Sequence, residues 1–150
     1  MYKRQPITIG KGLTGISWGE EITEDQKKFA KKLFENTSKI YEFTEDYLDI
    51  FLALTSSAPA IIALIIEALS DGGLSGGLPK KISEELVMEM IIGTISLIKE
   101  NKLTTSEVKN LVTSPGGTTI SALRVLEKKS IRSALIESII AASNRSKEFG

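Results

Sequence analysis

Two regimes of hydrophobic patterning divide the chain. Residues 7–18 alternate short β-prone pieces, Ile7-Thr8-Ile9 and Leu13 to Trp18, with glycines, which predicts strand and turn rather than helix. Thr23 then opens a helix: Gln26 stands three residues on, as a capping box requires, and Glu24 and Asp25 complement the positive N-terminus. Phe29, Ala30, Leu33 and Phe34 form its apolar stripe, and Lys27, Lys28, Lys31 and Lys32 its solvated face. Lys39 to Phe43 reads as a short strand. From Thr44 onward helix follows helix. Glu45 to Leu54 is a short one, and Pro59 suits the first turn of the next, which is expected to run to about Ser70 and stop at Gly72-Gly73. That helix is apolar nearly all round (Ile61, Ile62, Leu64, Ile65, Ile66, Leu69), so it needs burial on every side, and its cover is expected from a second subunit. Pro79 opens a long helix to Glu100, whose methionines read as core filler. Thr104 and Glu107 form a second capping box for a helix ending near Val112. Ser114-Pro115-Gly116-Gly117 interrupts the pattern, Thr118 or Thr119 starts a helix to about Lys128, and Ser130 is expected to cap a final helix through Phe149.

Composition narrows the chemistry. The 150 residues suit one domain of ordinary size, and 41% hydrophobic residues can build a core. Nineteen basic residues balance nineteen acidic ones, which argues against a general nucleic-acid or anionic-membrane binder. There is no cysteine and no histidine, so disulfides, thiolate nucleophiles, Cys/His zinc sites and Ser-His-Asp catalysis are excluded. The most apolar stretch, Phe51 to Leu69, is broken by Thr55, Ser56, Ser57 and Pro59 and carries Glu67. Its longest apolar run, Ala58 to Ile66, falls short of the roughly 20 residues that span a bilayer, so no membrane role is expected. With no apolar leader at the N-terminus, the expected location is cytoplasmic.

Two segments have the spelling of anion sites. Gly10-Lys11-Gly12-Leu13-Thr14-Gly15 matches the dinucleotide fingerprint G-x-G-x-x-G, but that fingerprint needs a helix opening at its third glycine. The strand-like Ile16-Ser17-Trp18-Gly19 comes next instead, so a phosphate site is not expected there. In Thr113 to Thr119, two glycines between a proline and two threonines leave backbone N–H groups free at a helix N-terminus, an arrangement able to hold a small carboxylate. Ser114, Thr118 and Thr119 add hydroxyl donors. A plain inter-helix turn with a threonine N-cap explains the same residues equally well.

At this segment the sequence resembles a known family. Val112 to Leu126, VTSPGGTTISALRVL, is similar to the signature of pyrroline-5-carboxylate reductases. Ile66 to Pro79, IEALSDGGLSGGLP, resembles the segment after that family's GSGPA motif, and Ser130 to Gly150, with Arg132, Glu137, Arg145 and Ser146, resembles its last helix. Gly12 to Phe43 is similar to the end of the family's cofactor domain. The resemblance implies a mainly α fold: a helical dimerisation and substrate-binding domain at 44–150, preceded by a short β-α-β remnant of a Rossmann domain at 6–43. It implies reduction of 1-pyrroline-5-carboxylate to L-proline with NADPH or NADH, in a homodimer that can assemble further. It also implies that Ser114, Pro115, Gly116, Gly117, Thr118 and Thr119 bind the substrate carboxylate, with Thr119 the catalytic residue beside the ring nitrogen.

Two departures stand out. The family's GSGPA is Ser56-Ser57-Ala58-Pro59-Ala60 here, and a threonine usual just upstream is Leu52. The family's glycine-rich cofactor loop also has no counterpart, and residues 1–5, Met1-Tyr2-Lys3-Arg4-Gln5, read like translated sequencing-adapter DNA. A truncated gene with natural sequence from Pro6 is therefore expected, and the chain alone is expected to be inactive. The rival reading is a helical dimerisation module that has lost catalysis.

Overall fold

The computed structural model describes residues 5–149, so the suspected adapter residues lie outside it except for Gln5. The first element described is a 3-10 helix, Gln5–Ile9, where the pattern predicted a strand. Pro6 holds a φ suited to such a turn, and Gly10 ends it at φ +68°, its N–H donating to the Ile7 carbonyl at 3.0 Å. The chain then forms β1 (Gly12–Ile16), α1 (Glu24–Phe34) and β2 (Ser38–Glu42). The strands pair in parallel, from Gly12 opposite Ser38 to Ile16 opposite Glu42, with α1 as the crossover. This is the expected β-α-β unit. The Thr23–Gln26 capping box forms in full.

Beyond β2 the chain is helical in nearly every residue. After a single 3-10 turn at Glu45–Tyr47 come α2 (Leu48–Leu52), a π turn at Ala53–Ser57 and α3 (Ala58–Ser75). Together they make one helical run, Glu45–Ser75, of 31 residues. The expected break before Pro59 is absent. The π turn resolves the conflict: the Ala58 N–H reaches back to the Ala53 carbonyl, and the wider turn accommodates a proline that cannot donate. The unbroken run is long and apolar enough to cross a membrane by length and composition, which corrects the expectation that polar residues make it too short. Nor does α3 stop at Gly72-Gly73. Its terminator is Gly77, at φ +96°: the Gly77 and Leu78 N–H groups donate to the carbonyls of Leu74 and Gly73, a Schellman closure.

The remaining elements are α4 (Lys80–Asn101), α5 (Thr105–Leu111), α6 (Thr118–Lys128) and α7 (Ile131–Lys147). The Thr104–Glu107 capping box is present as predicted. Ser130 holds the N-cap position of α7, its carbonyl accepting from the Ala134 N–H at 3.1 Å, but at φ +56° it is left-handed rather than extended, and α7 ends two residues before Phe149. The chain divides into two compact units, one comprising the residues up to Pro59 with those from Ile136 onward, the other Ala60–Leu135.

In the first unit, α2 lies on the sheet through Phe51. A Cβ on Gly15 would sit 2.8 Å from the Phe51 ring, so the missing side chain at 15 is what admits that ring. Phe43 packs against Phe51 with ring centroids 5.4 Å apart. In the second unit, α3 and α4 come close at Gly73 and Ser83, and Lys80 bridges back to Asp71 at 2.5 Å and Ser70 at 3.1 Å. Ala53 is the one fully buried hydrophobic residue among those described.

Candidate functional site

The candidate loop is built around a β-turn. The Gly117 N–H donates to the Ser114 carbonyl at 3.1 Å, with Pro115 and Gly116 at the centre and Gly116 at φ +70°. Proline second and a positive-φ glycine third is the requirement of a type II turn. The Gly117 N–H is therefore engaged in the turn and is not one of the free N–H groups that the sequence leads us to expect at the helix N-terminus. Gly117 itself is extended, at φ −75° and ψ 175°, and forms the N-cap of α6 with no side chain capping it. The cap is thus a glycine, not the threonine of the bland alternative. The first bonds inside the helix reach its carbonyl, from the Ser121 N–H at 3.3 Å and the Ser121 hydroxyl at 3.1 Å. That leaves the N–H groups of Thr118, Thr119 and Ile120 ahead of the first intrahelical bond, at the positive end of the helix.

Space at 117 is tight. A Cβ there would lie 2.4 Å from Ser114 Oγ and 3.2 Å from its carbonyl oxygen. Upstream, the Thr113 hydroxyl donates to the Lys109 carbonyl at 2.6 Å and closes the end of α5. Ser114, Pro115, Gly116 and Thr118 are exposed, and Gly117 and Thr119 half-buried. All six expected residues thus fall in one turn and the first two positions of one helix. The arrangement can bind a small anion by backbone donors. It contains no acid, base or thiol, so its chemistry is one of holding and polarising. Among the described residues no cluster of acidic side chains could hold a metal ion.

At the far end of α6, Arg132 donates to Glu127 at 2.5 Å; this hydrogen bond holds the Glu127 carboxyl below the usual carboxylate range.

A second feature, in the first unit, escaped the sequence reading. A cavity of about 190 Å³ opens between β1 and α2, lined by Leu13, Thr14 and Gly15 from the strand and by Phe51, Leu52, Thr55 and Ser56 from the helical run. Two of the positions that depart from the family pattern, Leu52 and Ser56, face it; their departure was the one signal for it in the sequence. The Gly10–Gly15 fingerprint is no phosphate loop. Its third glycine lies inside β1 beneath Phe51, and no helix opens there. Beside it, Glu42 at the end of β2 accepts from Lys31 at 2.6 Å and from the Trp18 indole at 2.7 Å, so its carboxyl titrates below the usual range.

Comparison with known proteins gives one consistent result. A family model described as pyrroline-5-carboxylate reductase dimerisation matches residues 45–149. The chain is 43% identical over 145 residues to a pyrroline-5-carboxylate reductase of Synechocystis, covering 97% of this chain and 54% of that protein. It is 36% identical to the Glycine max reductase, covering 96% and 53%. Among solved structures, the NADP-bound Plasmodium falciparum pyrroline carboxylate reductase superposes with a TM-score of 0.92 at 30% identity, over 98% of this chain and 59% of that one. The Coxiella burnetii enzyme gives 0.88 at 34%, over 95% and 53%. The chain spans about half the length of the relatives it matches.

Proposed function

The chain belongs to the pyrroline-5-carboxylate reductase family, and from that premise we propose that it forms the substrate-binding and dimerisation part of an enzyme reducing 1-pyrroline-5-carboxylate to L-proline. The observation that carries this reading is the turn at Ser114–Gly117 opening α6. In the proposed complex the substrate carboxylate sits against the N–H groups of Thr118, Thr119 and Ile120. The Thr119 hydroxyl stands beside the ring nitrogen, where a hydrogen bond polarises the C=N bond toward reduction. The reductant proposed from the family is NADPH or NADH. The described residues do not fit its pyrophosphate, since the only glycine fingerprint among them lies in a strand, so this chain's side chains take only the substrate's part of the reaction.

A homodimer is proposed from the same premise. Only 6% of the most apolar stretch of the run Glu45–Ser75 is buried, and a second copy, rather than lipid, is its proposed cover, because the matched dimerisation region spans this run. The departures at Leu52 and Ser56 favour a second reading, a dimeric scaffold without catalysis. One experiment separates the two. The chain is joined to the nucleotide-binding half of the Synechocystis relative, and NADPH oxidation dependent on pyrroline-5-carboxylate is measured. Turnover is expected, and its absence in a folded dimer favours the scaffold. The 150-residue polypeptide alone is expected to oxidise neither cofactor, since no phosphate-binding turn stands among its described residues; substrate-dependent oxidation by the purified chain would contradict this.

A further inference from the structure

We propose that Asp49 and Ser146 are positioning residues, a latch by which the last helix holds α2 and the π turn in the shape that lines the first unit's cavity. The Ser146 hydroxyl donates to Asp49 Oδ1 at 2.5 Å, a partly buried hydrogen bond between residues 97 apart in sequence.

Asp49 lies in the first turn of α2, a helix of five residues. The helix stands near the start of the run Glu45–Ser75, set off from α3 by the π turn at Ala53–Ser57 where the regular hydrogen-bond ladder is interrupted, so its orientation can change about that turn unless something ties it down. Phe51, Leu52, Thr55 and Ser56, all within seven residues of Asp49, line the cavity. A rotation of α2 therefore moves that wall directly. On the other side, Ser143 is buried one turn before Ser146 on the same face of α7, so this end of the helix is packed, whereas Ile136 and Ile140 earlier in it are exposed. The neighbouring cation does not compete for Asp49. Arg145 pairs with Glu148 and stacks over the Phe149 ring, 4.4 Å from its centroid. The Ser146 hydroxyl is thus the group α7 presents to Asp49. A neutral donor fixes the carboxylate by geometry, which requires one rotamer on each side.

The role in catalysis rests on the reductase reading, so the test has two arms. In the 150-residue chain, hydrogen–deuterium exchange of residues 48–58 is compared for wild type, Ser146→Ala, Ser146→Thr and Asp49→Asn. Ser146→Ala is expected to speed exchange there about tenfold, the order of a lost charge-assisted bond. Threonine keeps the donor and is expected near wild type; asparagine keeps an acceptor but loses the charge, so it is expected between wild type and Ser146→Ala. In the chain joined to the Synechocystis nucleotide-binding half, Ser146→Ala is expected to lower kcat/KM about tenfold, with rescue by threonine. Asp49→Ala combined with Ser146→Ala should be no worse than either alone, because one bond is lost in each case. Unchanged exchange in Ser146→Ala, or additive losses in the double variant, overturns the latch. If the joined wild-type enzyme reduces no imine, the reductase reading fails, and the exchange arm alone decides the latch.

Discussion

Gly116 and Gly117 serve one turn for different reasons. Gly116 has open space around its Cα but a φ of +70°, so any side chain there strains the backbone, by roughly 1–2 kcal/mol. Gly117 has an ordinary φ, but a Cβ would strike Ser114. The Ser114 hydroxyl can turn aside, but its carbonyl, 3.2 Å from the Cβ position, belongs to the turn, so a bulky branched residue at 117 presses on the turn that aims the α6 donors. In the joined enzyme Gly117→Val is expected to lower kcat/KM about a hundredfold, the size of effect that misplacement by about 1 Å produces. Thr119→Ala, which removes one hydroxyl, should lose roughly three- to tenfold, corresponding to about 0.5–1.5 kcal/mol. Steady-state kinetics with circular dichroism checks both; wild-type values in two folded variants would reduce the loop to a connector. Glu42 offers a prediction of another kind. Hydrogen bonds from Lys31 and Trp18 depress its carboxyl, so its contribution favours the folded state above the ordinary carboxylate pKa and disappears as pH falls through the lower, folded value. Glu42→Gln should therefore lose less stability than wild type between neutral pH and about pH 3, measured by denaturant titration at each pH.

At the scale of elements, the local rules were legible and the long-range ones were not. Both capping boxes, Thr23 with Gln26 and Thr104 with Glu107, form as read, because each is closed by residues three apart. The α3 terminus was misplaced because Gly72-Gly73 spells a stop, yet Gly73 serves another end. It lets α4 approach, with Ser83 Oγ 2.6 Å from where a Cβ would stand. The Ser83 hydroxyl is buried and has no hydrogen-bond partner. Gly73→Val should accordingly destabilise by roughly 1–3 kcal/mol, as overpacking does. Ser83→Ala should be neutral or stabilising by up to about 1 kcal/mol, since it removes an unsatisfied oxygen and keeps the Cβ. Chemical denaturation of the two variants decides. A Gly73→Val protein as stable as wild type would mean that the helices separate freely at that point.

For the whole molecule, the question is what covers the apolar surface. A chain this size could bury roughly 68–70% of its unfolded surface, yet along α3 and α4 Leu64 is 63% exposed, Ile92 56% and Leu86 54%. A second copy is the proposed cover, and each Leu or Ile it buries should contribute roughly 1.5–3 kcal/mol. Leu64→Asp is expected to shift the protein from dimer to monomer or to unfold it, read by sedimentation and circular dichroism together. A wild-type chain that sediments as a folded monomer would refute the dimer.

The capped helix α1 and the strand after it, the succession of helices and the turn at Ser114–Gly117 were all determined by the sequence itself. Each rests on short-range rules: hydrophobic period, capping geometry, and the φ values that proline and glycine allow. The candidate loop was legible for the same reason, since all six residues lie in one contiguous segment. Its donor pattern was less so, because the sequence shows which N–H groups exist but not that the turn uses the one on Gly117. Other features were decided only by tertiary structure. Pro59 lies within a continuous helix because a π turn precedes it, Gly15 lies under Phe51 rather than under a phosphate, and Ser146 reaches Asp49 across 97 residues. No local pattern encodes these, because the partner that gives each residue its role is brought to it only when distant elements pack.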